Sequence, residues 1–153
     1  MIEIRRIQEH DADQVALLWD RMCRETPDGG PLSAAGRRRI ATMLAVSAWH
    51  HETFSLVAAV DQNLTGFVTG RVDPGDGLLP CLAGEINELY VIPEARAEGT
   101  GRRLAEAAVA CLRERDVWTI RNLVCAGNDE AIRFWADLGF EPDTVCLSLY
   151  RPG

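Results

Sequence analysis

The sequence predicts a mixed α/β (α+β) fold in which helices flank a mostly antiparallel sheet. Three observations indicate this. Short apolar or alternating segments, typical of strands, and segments with apolar residues at helical spacing fill the whole chain. Their order is strand, two helices, three strands, helix, strand, helix, strand. Two central strands are separated only by DQN, which favours an antiparallel hairpin over a simple strand–helix alternation.

The first part of the chain contains one strand and two helices. Residues 2–6 (IEIRR) alternate apolar and charged side chains, as a short strand does. Asp11 or Asp13 caps the next segment, in which apolar residues recur at helical spacing. The loop TPDGGPLS then leads to Ser33, which precedes the second helix.

The middle part predicts a hairpin, a loop and a further strand. Residues 54–60 (FSLVAAV) and 64–72 (LTGFVTGRV) form the two arms of the hairpin. Residues 73–84 (DPGDGLLPCLAG) predict a flexible loop that folds over a ligand. Residues 85–92 (EINELYVI) form a strand that Pro93 ends.

The last part predicts two more strand and helix pairs. A helix over residues 99–115 is followed by a strand over 119–126 (TIRNLVCA). Asn128 opens the helix NDEAIRFWADLG, which Gly139 ends. Residues 144–150 (TVCLSLY) form a final strand. With 153 residues and no internal repeat or linker, residues 1–153 are expected to form a single domain.

Composition excludes several classes of protein. The hydrophobic share of 47% and charged share of 25% are ordinary for a globular protein. No apolar segment is long enough to span a membrane, and the N-terminus lacks the apolar core of a signal peptide, so we expect a cytoplasmic protein without a membrane partner. The net charge of −7 argues against a nucleic-acid partner, which requires clustered cations.

Cysteine and histidine positions predict no metal site. The five cysteines are widely spaced and include no C-x-x-C pair, which argues against a disulfide framework and a structural zinc site. His50 and His51 are adjacent, so on a helix they point about 100° apart and share a metal poorly.

The segment RAEGTG, residues 96–101, lies between a strand and a helix and raises the question of a phosphate ligand. It is neither a dinucleotide loop, because Leu104 replaces the third glycine, nor a Walker loop, because the chain has no lysine. Gly99 and Gly101 instead allow close approach to main-chain N–H groups at a helix N-terminus, which suits a pyrophosphate. An ordinary helix cap with exposed arginines is the alternative.

The surrounding motifs carry a more specific signal. LYVIPEARAEGTGRRL, with Arg96-x-x-Gly99-x-Gly101 after a strand and a proline, resembles the acetyl-CoA motif of the GNAT superfamily of N-acetyltransferases. The helix from Asn128, closed by LGF at residues 138–140, is similar to the family's second conserved helix. The resemblance covers essentially the whole chain and implies a GNAT-type twisted sheet of six to seven strands with about four helices.

The resemblance also implies the residues that bind acetyl-CoA as co-substrate. The family strand that offers main-chain groups to the pantetheine arm corresponds to Leu89, Tyr90 and Val91. The family loop that holds the pyrophosphate corresponds to Arg96, Ala97, Glu98, Gly99, Thr100, Gly101 and Arg102. Asn128 matches a position that contacts the coenzyme arm.

Two glutamates are candidates for the catalytic base. Amine acetylation requires a neutral amine, so a base must remove a proton, directly or through water. Glu85 lies eleven residues before Arg96, a spacing at which some GNAT members carry a base, and is our first choice. Glu88, before LYV, is the second. Three residues apart, they face opposite sides of a regular strand unless a bulge changes that parity.

Trp135 departs from the family pattern. Many GNAT enzymes have a tyrosine there that protonates the coenzyme thiolate, and indole N–H is far too weak an acid to replace it. Three explanations stay open. The thiolate leaves unprotonated, Tyr90 or Tyr150 substitutes, or the domain is a non-catalytic acyl-CoA-binding module. Trp135 also suits a simple core position.

The acceptor is expected to be a small primary amine. Leu123 stands where ribosomal-protein N-terminal acetyltransferases carry glutamate, which argues against peptide N-termini. Acidic residues near the expected acceptor site suit a cationic amine or are simply solvated, namely Asp20, Glu25, Asp28, Asp73 and Asp76. Homodimers are a common arrangement in the family that the chain resembles.

Overall fold

A computed structural model describes residues 1–75, 78 and 82–153 of the chain. The described residues form two compact units, Met1–Leu123 and Val124–Gly153. The first contains the whole sheet, and the second contains the last helix. The single-domain expectation for residues 1–153 stays a prediction.

The sheet of the first unit has five strands in the order of the sequence. The strands are β1 Glu3–Arg6, β2 Thr53–Val60, β3 Asn63–Asp73, β4 Ala83–Val91 and β5 Thr119–Asn122. Neighbouring strands from β1 to β4 are antiparallel, and β4 and β5 are parallel. The mixed, mostly antiparallel α/β class is therefore confirmed, including the hairpin between β2 and β3.

Four α-helices accompany the sheet in the described residues. They are α1 Ala12–Glu25, α2 Ala34–Ser47, α3 Thr100–Arg113 and α4 Asp129–Asp137. Ser33 caps α2 as predicted, since its Oγ accepts a hydrogen bond from the Gly36 amide at 3.0 Å. Among the described helices, none combines the length and apolar character needed to cross a membrane.

Asp11 precedes α1 but makes no capping hydrogen bond to it. Its carboxylate instead accepts from the Gln8 amide at 2.8 Å and pairs with both terminal nitrogens of Arg5, at 2.7 and 3.0 Å. Arg5 hydrogen bonding therefore holds the pKa of Asp11 below its usual value. This pair joins β1 to the start of α1.

Each face of the sheet packs against its own helices. On one face, Phe67 and Tyr90 join a buried cluster with Val15 of α1 and Leu44 of α2. On the other face, α3 approaches the strands so closely that a Cβ at Gly84 would lie 2.8 Å from Leu112 Cδ2. Glycine at this position therefore permits the contact between β4 and α3.

Two strand predictions need correction. The predicted six to seven strands are too many for the described residues, which form five. Residues 144–150 are not a strand: Val145, Leu147 and Leu149 are at least 80% exposed. Alternation favours a strand only where a neighbouring strand supplies ladder hydrogen bonds, and in the described residues the sheet ends at β5.

The predicted loop over residues 73–84 lies partly outside the described residues. Asp73 belongs to β3, and Ala83 and Gly84 already belong to β4. Residues 76, 77 and 79–81 are not described, so the proposed role of this loop in covering a ligand, and that of Asp76, stay predictions.

Candidate functional site

Strands β4 and β5 pair over only part of their length, which creates the candidate site. Their parallel register runs from Ala83↔Thr119 to Ile86↔Asn122, where β5 ends. The second half of β4 continues to Val91 and pairs only with β3 among the described strands. One edge of residues 87–91 is therefore free of a strand partner in the described part of the chain.

A bulge in β4 marks the transition between its two halves. Gly70 pairs with Ile86, but Val68 pairs with Leu89, so Asn87 and Glu88 both lie opposite Thr69. Thr69 Oγ1 accepts a hydrogen bond from the Glu88 amide at 3.2 Å. The extra residue resets the alternation of side chains along the strand.

As a result, Glu85 and Glu88 lie on the same face of the sheet. Glu85 is one position from Gly84, which faces α3, and so faces the α1 side. Glu88 also faces α1, because it lies two positions before Tyr90, which joins the buried cluster with Val15 of α1. Opposite faces would have been expected from an unbulged strand.

Some main-chain groups in the second half of β4 point toward its unpaired edge, into the gap that opens beyond the end of β5. The Ile92 amide donates to Thr65 O at 2.9 Å, so residues 92 and 90 direct their main-chain groups toward β3. Alternation then directs the groups of Leu89 and Val91 away from β3. Arg96 Nε donates to Val91 O at 2.9 Å, which agrees with this direction.

The glycine loop follows directly. A 3-10 segment over Pro93–Glu98 ends at Gly99, whose φ of 74° and ψ of 13° are left-handed. Thr100 then begins α3. The first main-chain hydrogen bond of the helix joins the Arg103 amide to Gly99 O, at 3.1 Å. The amides of Thr100, Gly101 and Arg102 therefore form the open first turn of a helix, at the positive end of its dipole.

The side chains of this segment differ in their surroundings. Ala97 and Glu98 are exposed, whereas Thr100 is fully buried, and its Oγ1 has no hydrogen-bond partner in the described structure. Arg102 Nε donates to Glu106 at 2.8 Å along α3 and stays more than half exposed. The open amides, rather than side-chain caps, are thus the polar groups that this turn presents.

Arg96 points back from the loop toward α1. Its Nη2 donates to Glu25 Oε2 at 2.5 Å, and its guanidinium lies over the Tyr90 ring, 5.6 Å from the centroid. Tyr90 donates its hydroxyl to the other oxygen of Glu25 at 2.6 Å. Sequence reasoning placed Glu25 among acceptor-site acids, and nothing in its sequence context indicates this pairing.

The two candidate bases have different surroundings. Glu85 is paired with Arg71 at 2.8 Å and with Arg121 at 3.3 Å. These contacts depend on strand register, so the local sequence did not predict them. No ion pair to Glu88 occurs among the described residues, and burial raises the pKa of its carboxyl group. A carboxyl with a raised pKa and no cationic partner accepts a proton more readily than one that arginines hold in the ionised form.

Tyr90 is poorly suited to the acid role. Burial and its hydrogen bond to Glu25 raise the pKa of Tyr90 to about 12. Its proton is already donated to a carboxylate on α1. Tyr150, the other candidate, is 83% exposed in the second unit.

Within the second unit, Asn128 and Trp135 both have structural partners. Asn128 caps α4, since its Oδ1 accepts from the Ala131 amide at 3.1 Å. Trp135 is 7% exposed and packs edge-on against Phe134 and Phe140, each with ring centroids 5.1 Å away. These contacts agree with the core interpretation of Trp135, and the coenzyme roles of both residues stay predictions.

The unpaired edge of β4 and the open first turn of α3 form the candidate site, and sequence comparison decides the family. The profile described as "Acetyltransferase (GNAT) family" matches residues 18–140. The chain belongs to the GNAT acetyltransferase family. This GNAT chain is 33% identical over 87 residues to a mycothiol acetyltransferase of Rhodococcus jostii, covering 57% of this chain and 28% of that protein. The chain spans about a third of the length of the mycothiol acetyltransferases it matches.

A relative of similar length and a solved structure extend the GNAT comparison. An uncharacterized N-acetyltransferase of Archaeoglobus fulgidus is 28% identical over 135 residues, covering 88% of this chain and 90% of that one. Aminoglycoside N-acetyltransferase AAC(6')-Iy, solved in complex with CoA, superposes with a TM-score of 0.78 at 16% identity, covering 99% of this chain and 95% of that one. The structural likeness shows that the GNAT fold is shared.

Proposed function

We propose that this GNAT chain transfers an acetyl group from acetyl-CoA to a primary amine of a small molecule. Two neighbouring features of the chain carry the proposal. Leu89 and Val91 lie on a strand edge that β5 does not reach, and Thr100–Arg102 form an open first helix turn. The first suits an extended, amide-containing arm, and the second suits a pyrophosphate. Acetyl-CoA supplies both, together with a reactive thioester.

Glu88 is the better candidate for the base in this geometry. A protonated amine has no lone pair, so one proton must pass to a carboxylate before the C–N bond forms and the C–S bond breaks. The raised pKa of Glu88, caused by burial, supports this role, whereas the carboxylate of Glu85 is already paired with two arginines. The Leu89 amide, directed into the gap, would polarise the thioester carbonyl.

The acid step needs no dedicated side chain in this proposal. A thiol has a pKa of only about 8.5, so the leaving thiolate takes its proton from water. Neither Trp135, which is not an acid, nor Tyr90, which donates to Glu25, is given this role. The names of the mycothiol and aminoglycoside acetyltransferases support a small-molecule acceptor. A cytoplasmic homodimer is part of the same proposal.

A thiol-release assay across a panel of amines tests the proposal. We expect acceptor-dependent release of free coenzyme A with at least one small primary amine, and calorimetric binding of coenzyme A without an acceptor. Coenzyme A binding without any acceptor-dependent release would favour the alternative, a non-catalytic acyl-CoA-binding domain. Absence of coenzyme A binding would overturn both.

A further inference from the structure

A pocket lies at the end of β4 that is opposite the proposed coenzyme loop, residues 96–102. It has a volume of about 460 Å³. Its lining includes Glu52, directly before β2, and Leu82, directly before β4. The coenzyme loop follows Val91, at the other end of this nine-residue strand. At about 3.3 Å per residue the two ends are roughly 26 Å apart, so one small ligand cannot occupy both places.

Two arginines in this pocket have no carboxylate partner among the described residues. Arg6 Nη2 donates to the carbonyls of Ser47 and His50, at 3.1 and 3.0 Å. Arg115 donates to the carbonyls of Cys111 and His51, at 2.8 and 3.3 Å. Carbonyl acceptors orient a guanidinium without neutralising its charge.

This arrangement differs from that of the arginines that pair with acids. Seven others form ion pairs with carboxylates, namely Arg5, Arg21, Arg24, Arg71, Arg96, Arg102 and Arg121. No carboxylate of the described residues pairs with Arg6 or Arg115, and Glu52 is the one acid among the described lining residues. On a chain with a net charge of −7, the pocket is a local positive site.

Aromatic rings form another part of the wall. Trp49 is 66% exposed although it is a large apolar side chain. The rings of His50 and His51 stack, with centroids 5.0 Å apart and an angle of 16° between their planes. The Glu52 amide donates to His50 Nδ1 at 3.2 Å, which places the proton of the neutral ring on Nε2 as a donor.

We propose that this pocket binds a small aromatic carboxylate at a site separate from the coenzyme loop. The two oriented guanidinium groups match a carboxylate, and the exposed indole and imidazole rings match a flat ring. The volume lies within the range of small-molecule sites. This site does not depend on the proposed acetyl transfer.

Calorimetric titration with indole-3-carboxylate tests the proposal, with indole-3-carboxamide as the neutral counterpart. We expect the carboxylate to bind saturably with a Kd of about 1 mM or lower. The amide should bind at least tenfold more weakly, because only the carboxylate engages both guanidinium groups. Saturating coenzyme A should leave the affinity for the carboxylate unchanged. Equal binding of the two probes, no saturable binding, or displacement by coenzyme A would each overturn the proposal.

Two variants locate the binding. Arg115→Gln removes one guanidinium and should weaken binding at least tenfold, and Trp49→Ala should weaken it several-fold. Because Arg115 also holds two carbonyls, Trp49→Ala keeps the test valid if the first variant fails to fold. Arg39→Gln, an exposed arginine on α2 outside the pocket, is the matched control and should bind as the unmodified protein does. Unchanged binding by Trp49→Ala would contradict the assignment.

Discussion

Arg96 and Glu25 connect the coenzyme loop to the last residue of α1, with Arg96 Nη2 donating to Glu25 Oε2 at 2.5 Å. The same guanidinium donates through Nε to Val91 O, one of the main-chain groups directed into the gap beside β4. Both contacts engage the guanidinium with partners that lie outside the first turn of α3. In the proposed function, Arg96 must exchange these partners before it contacts a pyrophosphate.

Replacing Glu25 should therefore strengthen coenzyme binding. Glu25→Gln removes the charge that holds Arg96, and we expect the Kd for coenzyme A to fall by about two- to fivefold, the scale of one partly exposed ion pair. Glu94→Gln is the control, since it removes the same charge near the loop but its partner is Arg21. Calorimetry that shows weaker binding in Glu25→Gln would contradict the proposed exchange.

Gly99 should be required for the shape of the loop. A Cβ there meets no atom within 4 Å, but its φ of 74° lies in the left-handed region. We expect Gly99→Ala to lower the free energy of unfolding by about 1 kcal/mol and Gly99→Val by more, and both to weaken coenzyme A binding. Thermal unfolding and calorimetry measure the two effects. Gly30→Ala, also in open space but without a positive φ, should change neither. Full coenzyme affinity in Gly99→Val would argue against the pyrophosphate assignment.

Glu88 should control the pH dependence of turnover. Glu88→Gln should lower kcat by about 10²–10⁴-fold, the usual contribution of a general base. Because burial raises the pKa of Glu88, the acid side of the kcat/KM profile should fall at a pH above about 4.3, the ordinary value for glutamate, and disappear in the variant. Glu85→Gln is the comparison. If only that variant loses turnover, Glu85 is the base.

The stability of Glu88→Gln separates this role from a structural one. Burial opposes the charged form of Glu88, so at neutral pH its ionisation destabilises the native state. The contribution of this group to the free energy of unfolding therefore falls as the pH rises from its unfolded-state pKa through its raised native pKa. The neutral amide removes that cost, so we expect no loss of unfolding free energy at pH 7. A loss of activity that accompanied unfolding would not support a catalytic role.

Trp135 should contribute to packing and not to proton transfer. Trp135→Phe keeps an aromatic ring beside Phe140 and removes the indole N–H. We expect a loss in kcat smaller than about tenfold, whereas removing a catalytic acid costs about 10²–10⁴-fold. Urea unfolding should show reduced stability, because the smaller ring leaves space in the packing. Steady-state kinetics showing a hundredfold loss or more would require a functional role for the indole.

Asp11 should stabilise the protein in a pH-dependent way. Asp11→Asn breaks the pair with Arg5, and we expect it to lower the free energy of unfolding by about 1–3 kcal/mol at pH 7. Since the pKa of Asp11 is lowered in the native state, its contribution is complete above about pH 4 and is lost as pH falls through the native value. Denaturant unfolding at several pH values checks this. Glu9→Gln, an exposed neighbour, should show no comparable effect.

Local patterns were sufficient for most elements of the fold. Apolar spacing predicted α1 to α4, and DQN predicted the β2–β3 hairpin, because these elements depend on contacts between residues close in sequence. The strand expected over residues 144–150 failed for the converse reason. Its alternation is real, but a strand also needs a partner, which no local pattern guarantees.

The sequence by itself determined the family, through the spacing of Arg96, Gly99 and Gly101 and the later helix from Asn128. It also located the open helix turn, because a glycine with positive φ before a helix is a local property. Only the tertiary structure decided that Glu85 and Glu88 share a face and differ in their partners. That outcome depends on the bulge opposite Thr69 and on arginines from neighbouring strands, and strand register is set by packing across the whole sheet.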